Sequence, residues 1–317
     1  MGKNILVACE ESQAVTKELR RLGHKAYSCD IIDQSGGHPE WHIMQDVLPL
    51  INGRCEFRTT DGAVHKIEGR WDALICFPPC TDIANSGAKH FAKKRADGRQ
   101  RKSVLFFCQF LAADCGIIVI ENPVGIISGE YVRTHFPDLA EKYNLPRKPT
   151  QIIQPWQFAL TDEEMTEKST CVWIIGGREL VPIRTEKPDI QYFEWIAADG
   201  KMKRQTLWYY KTRCLPYEQR GRAASKTFPG FARAIAEQII GPSEKEEEIM
   251  NNAEQLERRE GTEAKPATVH DFNAAAQLKR LADERKALAN INPDSSRFSD
   301  DVRALEYAIN VLEVVGL

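Results

Sequence analysis

The sequence has no apolar run near the ~18 residues that a membrane-spanning helix needs, so its 317 residues are expected to work without a membrane. No two of its nine cysteines are spaced as Cys-x-x-Cys, and no His or Cys pair stands ready to complete a zinc site. Cys76 and Cys80 are separated by two prolines and a phenylalanine, a poor metal hairpin, so no metal is expected. Several thiols sit inside apolar runs (Cys76, Cys108, Cys171), which suits a reducing cytoplasm rather than a disulfide framework. Charge of one sign is also missing: the net charge is only −2, so overall charge does not announce a nucleic-acid binder. The opening Met1-Gly2-Lys3-Asn4-Ile5-Leu6-Val7 has neither the length nor the cleavage site of a signal peptide, and a cytoplasmic location is expected.

What is present is ordinary in bulk and specific in arrangement. A content of 42% hydrophobic and 28% charged residues is that of a globular protein. The length holds one large α/β domain and a smaller unit. The run Trp71-Asp72-Ala73-Leu74-Ile75 leads into Cys76-Phe77-Pro78-Pro79-Cys80-Thr81. An apolar strand thus stops at two prolines and delivers a thiol to its carboxyl end, where open α/β sheets put their chemistry. Between Lys89 and Lys102 lie seven basic residues (Lys89, Lys93, Lys94, Arg95, Arg99, Arg101, Lys102) against one acid, Asp97. This is either a solvated loop and helix start or a set of phosphate contacts.

In chain order, residues 4–9 read as a buried strand, 13–22 as a helix and 24–29 as a second strand ending at Asp30. An acid at that tip is placed to hold the ribose of a nucleoside cofactor, although the Gly-x-Gly-x-x-Gly fingerprint is absent and Asp30 is also a plausible loop cap. A short third strand or turn is expected before Asp46 and Val47, a hairpin at 57–67 and a strand at 71–77. A helix over 103–113 follows, then the β-branched strand 116–120, which ends at Glu121-Asn122-Pro123. A helix near 130–143 and a strand at 170–175 come next. From 178 to 215 basic residues alternate with aromatics, which fits a nucleic-acid surface or a small subdomain with its own aromatic core equally well. A helix opens at Pro229-Gly230 and runs to about 240. At Gly241-Pro242-Ser243 the composition changes to a charged linker, then amphipathic helices at 268–291 and beyond Ser299, a hairpin able to pack on a partner or a second copy.

Cys80 and Glu121 therefore lie at consecutive strand ends. A thiolate can add to C6 of a pyrimidine while a carboxyl group bonded to N3 stabilises the charge, which makes C5 nucleophilic. Here the chain resembles the cytosine-C5 DNA methyltransferases, of the compact type found in phages and prophages. Pro78-Pro79-Cys80-Thr81 with Asn85-Ser86-Gly87-Ala88-Lys89 resembles the family's nucleophile loop, and Glu121-Asn122-Pro123 its Glu-Asn-Val motif. Arg99 to Phe107 resembles the helix between them. The resemblance covers about 4–241. It implies a Rossmann-like class I methyltransferase fold, mixed but mostly parallel, with helices on both faces. Residues 1–177 and 216–242 would form the catalytic domain, 178–215 a short target-recognition region and 243–317 the linker and helical hairpin.

The resemblance also implies roles. Cys80 is the nucleophile and Glu121 the acid, with Pro79 and Asn122 beside them. S-adenosylmethionine (SAM) would meet Cys9, Glu10, Glu11, Ser12, Asp30, Ile31, Asp46, Val47, Pro78 and Lys226. Double-stranded DNA, its target base flipped out, would meet Ser86, Lys89, Lys93, Lys94, Arg95, Arg99, Lys168, Thr170, Lys203, Arg204, Arg220 and Arg222. Three departures stand out. Ala8-Cys9-Glu10-Glu11-Ser12 replaces the glycine-rich cofactor loop, leaving the backbone less free to approach a ligand. Lys168-Ser169-Thr170 stands where the family has Gln-x-Arg-x-Arg. Lys226 stands where it has an asparagine near the reactive end of the cofactor. An ammonium there repels a sulfonium but attracts a carboxylate, so carboxy-SAM and a 5-carboxymethylcytosine product are one expectation; a lysine facing solvent or a phosphate is the other. A catalytically silent DNA-binding or decoy protein on the same fold, and a transferase for RNA or free nucleotides, stay open.

Overall fold

The computed structural model describes residues 2–197 and 200–248. In chain order they form β1 (Asn4–Ala8), α1 (Ala14–Arg21), β2 (Lys25–Asp30), β3 (His42–Met44), the hairpin β4 (Cys55–Arg58) and β5 (Val64–Ile67), then β6 (Ala73–Cys76). There follow α2 (Phe91–Ala96), α3 (Arg99–Leu111), β7 (Ile117–Pro123), α4 (Glu130–His135), α5 (Pro137–Tyr143), β8 (Gln151–Ile153) and β9 (Thr170–Ile175). A second hairpin, β10 (Tyr192–Ile196) and β11 (Met202–Thr206), precedes α6 (Leu207–Cys214), α7 (Tyr217–Ser225) and α8 (Pro229–Ala234), which continues as a π-helical turn, Ile235–Ile240. The expected helices at 268–291 and after Ser299, and self-association through them, lie outside the described residues.

Seven strands make one sheet in the order β3-β2-β1-β6-β7-β9-β8. The first five are mutually parallel, and β9 runs antiparallel to both of its neighbours. The architecture is α/β with a mostly parallel central sheet. The strand order reverses between β1 and β6. There two carboxyl ends diverge and leave a crevice, the usual ligand position in such sheets.

Alternation along the pleat explains why these segments read as unbroken apolar runs. Leu6, Ala8, Leu74, Cys76, Ile118 and Ile120 share one buried cluster with Val104, Phe107, Cys108 and Phe110 of α3. Ile5, Val7, Ala73, Ile75 and Val119 share another with Val15 and Leu19 of α1, Phe231 and Ala232 of α8 and Ile235 of the turn that continues it. Helices thus cover both faces, and side chains of both parities must be apolar. Filling each such position stabilises by about 1.5–3 kcal/mol per large aliphatic or aromatic side chain.

The helix expected over 103–113 begins earlier, at Arg99, because Gly98 at φ 77° ends α2 and starts a new helix from the basic stretch. The single helix expected near 130–143 is two, since Pro137 cannot continue α4 and instead opens α5. The aromatics of 192–210 stack mainly on one another, Phe193 on Tyr210 at 3.7 Å between ring centroids. They are half-buried or exposed, none of them part of a buried cluster. Among the described residues, no helix is long and apolar enough to cross a membrane.

Candidate active site

The thiol of Cys80 stands four residues past the end of β6, and Glu121 lies within β7, the parallel neighbour of β6. Several bonds fix their loops to each other. The Asn122 side-chain amide donates to the Pro78 carbonyl at 2.7 Å. Asn85 N–H donates to the Val124 carbonyl and Ile126 N–H to the Ile83 carbonyl, each at 3.0 Å. The carbonyl of Cys80 accepts from Ile83 and Ala84 N–H, at 3.1 and 2.9 Å. Gly125 permits this closeness: a Cβ there would lie 2.3 Å from the Ile83 carbonyl oxygen.

The Cys80 thiol and the Glu121 carboxyl are both shifted. Burial, then the Glu121 charge, raises the Cys80 thiol pKa, while Lys168 and Lys94 pull it down. Burial raises the Glu121 carboxyl, opposed by Lys168 and by a hydrogen bond from Thr170. One cation, Lys168, thus acts on both. Its ammonium also donates to the Ala224 carbonyl at 3.1 Å. Glu121, Lys168, Thr170, Ser225, Lys226 and Phe228 line a cavity of about 20 Å³, roughly the space of one water.

A separate cleft of about 380 Å³ opens at the tips of β1, β2 and β3. Cys9, Asp30, Ile31, Asp46 and Val47 line it as expected, and so does Pro79. Cys29, Gln45, Lys102, Ser103 and Phe106 line it too, unforeseen from sequence. Phe106 and Ser103 arrive on α3, in the segment that resembles the family's intervening helix, which was the one available signal. Burial raises the Asp30 carboxyl pKa, with the Ile32 and Ile31 N–H groups opposing. Cys9 holds φ 59° and Gln13 φ 56°, so two non-glycine residues adopt the left-handed backbone that glycines supply most easily.

Several expected ligands do other work. Glu10 is buried and caps α1: it accepts from Val15 N–H at 2.6 Å and from the Thr16 hydroxyl at 2.7 Å. Burial drives its pKa up to about 7 against those bonds. Glu11, expected at the cofactor, and Arg222, expected at DNA, pair with each other at 2.7 Å. Burial raises the Glu11 carboxyl, but Arg222, Ser35 and Lys226 outweigh it and leave the pKa lowered. Ser12 and Pro78 are not among the residues lining the cleft. Pro78 instead offers its carbonyl to Asn122.

The basic stretch divides. Lys94 is buried, with its ammonium on the Thr81 carbonyl and 3.4 Å from Asp82, so it faces inward rather than toward a phosphate. Arg95 donates to the Tyr131 hydroxyl and lies 5.4 Å from that ring. Arg99 pairs with Asp97 at 2.9 Å. Ser86, Lys89 and Lys93 are exposed on the outer side of the loop and α2. Lys203 and Arg204 are exposed on β11, and Arg220 is exposed on α7 with its Nε on the Leu215 carbonyl. Lys168 and Thr170, expected at DNA, and Lys226, expected at the cofactor, all line the Glu121 cavity.

Among the described residues, no group of three or more His, Cys, Asp and Glu is placed to hold a metal ion. No protein-family model matches the chain, and no curated protein matches it.

Proposed function

We propose that the protein modifies C5 of cytosine in double-stranded DNA, acting as a DNA (cytosine-5-)-methyltransferase on a Rossmann-like class I methyltransferase fold. The observation that carries this reading is the placing of Cys80 and Glu121 at the ends of adjacent parallel strands, their loops joined by Asn122 and Pro78. The strand order, with a single reversed strand β9 inserted near one edge, supports the fold class.

The cleft at the strand tips fits a nucleoside cofactor. Asp30 suits the ribose hydroxyls and Asp46 the adenine edge, while Ile31, Val47 and Phe106 offer apolar walls. SAM, when bound there, supplies the electrophilic carbon.

The chain's own residues do the rest. Cys80 loses its proton and its sulfur bonds to C6, which moves the C5–C6 π pair to C5. Glu121, whose pKa burial raises, is the acid that bonds to N3 while that charge develops. Once C5 carries the new group, its proton leaves to water and the C6–S bond breaks, restoring the double bond and the thiolate. Lys168 and Lys94 favour the thiolate at the start and the end of this cycle. A cavity of about 20 Å³ admits no base. Segment 225–228 therefore gives way when a flipped cytosine enters.

Mass spectrometry of nucleosides after incubation with duplex DNA and SAM tests the reading. Modified cytosine should form with the natural chain and vanish with Cys80→Ala, which should retain DNA binding. Turnover by Cys80→Ala, or transfer to RNA or dCTP in preference to duplex, would overturn it.

One observation favours a variant of this reading. Lys226 lines the same cavity as Glu121, and its charge reaches Glu11 of the first loop. On this reading a carboxylate on the transferred group would meet the Lys226 ammonium. On this reading the cofactor is carboxy-SAM and the product 5-carboxymethylcytosine. The same mass analysis with each cofactor decides: 5-methylcytosine alone from both sinks the carboxymethyl variant.

A further inference from the structure

The loop that stands in place of a glycine-rich one is held by side chains. Cys9 N–H donates to the Cys29 carbonyl at 2.7 Å and Ser35 N–H to the Glu11 carbonyl at 2.8 Å, so the segments 9–13 and 29–38 run against each other. Behind them three fully buried polar side chains meet. Gln13 comes from the first loop, Ser28 from β2 and His42 from β3, where it stands opposite Ser28 in the sheet register. Three such groups in an apolar sheet are costly unless each is bonded, and each of them is.

The bonds form one directed chain. Gln13 grips the backbone of His38 with both ends of its amide: Oε1 accepts from the N–H at 3.1 Å, and Nε2 donates to the carbonyl at 2.8 Å. The same Nε2 donates to the Ser28 hydroxyl at 3.2 Å. Ser28 Oγ lies 2.9 Å from His42 Nδ1, and His42 Nε2 lies 2.9 Å from the Ile32 carbonyl. A carbonyl only accepts, so Nε2 carries the proton. With the ring neutral, Nδ1 then accepts from the Ser28 hydroxyl. Ile32 in turn donates its N–H to Asp30 Oδ1 at 3.3 Å. The chain thus runs from the first loop, through two strands, to a carboxylate that lines the cleft beside Ile31.

We propose that His42, supported by Ser28 and Gln13, is a positioning residue for the cofactor: it holds the turn at Ile32 so that Asp30 meets the ribose and Ile31 the base. Glycine-rich loops place such a ligand with the backbone itself. Here buried side chains behind the cleft take over that task, which fits a first loop without glycine. The proposal rests on the nucleoside-cofactor reading above and adds to it the group that orients its ribose contact.

Calorimetry on the full chain with S-adenosylhomocysteine tests it, since that probe shares its adenosine with SAM and carboxy-SAM. His42→Gln brings an amide N–H near the place of Nε2 and keeps the bond to Ile32, whereas His42→Asn reaches only the place of Nδ1 and loses it. His42→Asn should weaken binding at least ~10-fold, and His42→Gln should stay within ~3-fold of the natural chain, because only the first leaves a carbonyl without its donor. Asp30→Asn alone should weaken binding ~10-fold, but by less than ~3-fold in the His42→Asn background, because the two act through one contact. At saturating SAM, turnover of His42→Asn on duplex DNA should stay within ~2-fold, with the duplex KM unchanged. A general loosening of the fold would lower both. Urea unfolding checks each variant, and if His42→Asn does not fold, Ser28→Ala, which leaves Nδ1 unpaired, carries the same cycle. Unweakened binding by His42→Asn, equal losses in His42→Gln and His42→Asn, or losses that multiply with Asp30→Asn overturn the proposal. Failure of the cofactor reading looks different: the natural chain then takes up no S-adenosylhomocysteine, and the proposal falls with it. Binding without transfer to DNA sinks only the DNA part of that reading, and the calorimetric cycle still decides the role of His42.

Discussion

The Asn122 side-chain amide gives its proton to the Pro78 carbonyl across 2.7 Å, and both residues are buried. This bond ties the strand that carries Glu121 to the turn that carries Cys80. Asn122→Ala should leave that carbonyl unpaired and destabilise the fold by about 1–3 kcal/mol. Transfer should fall further than stability does, by roughly 10- to 100-fold, because a shift of about 1 Å in a reacting group is enough for that loss. Urea unfolding beside turnover on duplex DNA separates the two effects.

Lys168 offers a second test, which needs no turnover. Its charge lowers the pKa of both Cys80 and Glu121. In Lys168→Gln both should rise, and with fewer thiolates present Cys80 should react several-fold more slowly with iodoacetamide at a fixed pH near 8. Peptide mass mapping isolates Cys80 from the other eight cysteines. An unchanged alkylation profile would mean that Lys168 only fills space.

Glu10 makes stability depend on pH. Its carboxyl is raised from 4.5 to about 7, so the folded chain holds this proton where the unfolded chain has lost it. The stability this gives is fully present below pH 4.5 and is lost as pH rises to about 7. A rise of this size corresponds to about 3 kcal/mol at most. Glu10→Gln keeps an oxygen for Val15 N–H and cannot ionise. Urea midpoints at pH 5 and 7.5 should therefore differ less in the variant than in the natural chain.

Glu10 also marks where the sequence ceased to be legible. Alignment with a cofactor loop suggested a ligand, but an acid three to six residues before a helical turn is equally suited to its bare N–H groups. The apolar runs behind β1, β2, β6, β7 and β9 were plain because both faces of that sheet are covered. β8 was not, having three residues with Ile152 exposed. The dense charge at 89–102 read as a solvated loop and helix start or as phosphate contacts, yet Arg, Lys and Gln are good helix formers, and most of the stretch is helical, as α2 and the start of α3. Cys80 and Glu121 could be placed because strand ends fix them. The inward turn of Lys94 and the arrival of Phe106 at the cleft could not, since both depend on how α2 and α3 pack.

The left-handed backbone at Cys9 gives a further prediction. A non-glycine residue at φ 59° is strained by about 1–2 kcal/mol, and glycine relieves this while losing up to about 1 kcal/mol of entropy. Cys9→Gly should therefore stay within about 1 kcal/mol of the natural chain. Cys9→Val, with a branched Cβ, should lose about 2 kcal/mol or more. Urea midpoints check both, and an equally mild Cys9→Val would mean that the loop can relax out of this conformation.

Lys94 and Asp82 couple folding to the loop that carries Cys80. The ammonium lies 3.4 Å from the Asp82 carboxylate, both side chains are largely out of water, and the same ammonium holds the Thr81 carbonyl next to Cys80. Gln100 and Ser103 hold Asp82 from the other side, at its carbonyl and carboxylate. Lys94→Met should destabilise by about 2–4 kcal/mol, chiefly because Asp82 is left charged without its cation. Adding Asp82→Asn should recover part of that loss, since the uncompensated charge is then gone. The Thr81 carbonyl stays unheld in both variants, so transfer should remain low in the double variant even where stability returns. Recovery of both together would place the function of Lys94 in its pairing with Asp82 rather than in its grip on the Cys80 turn.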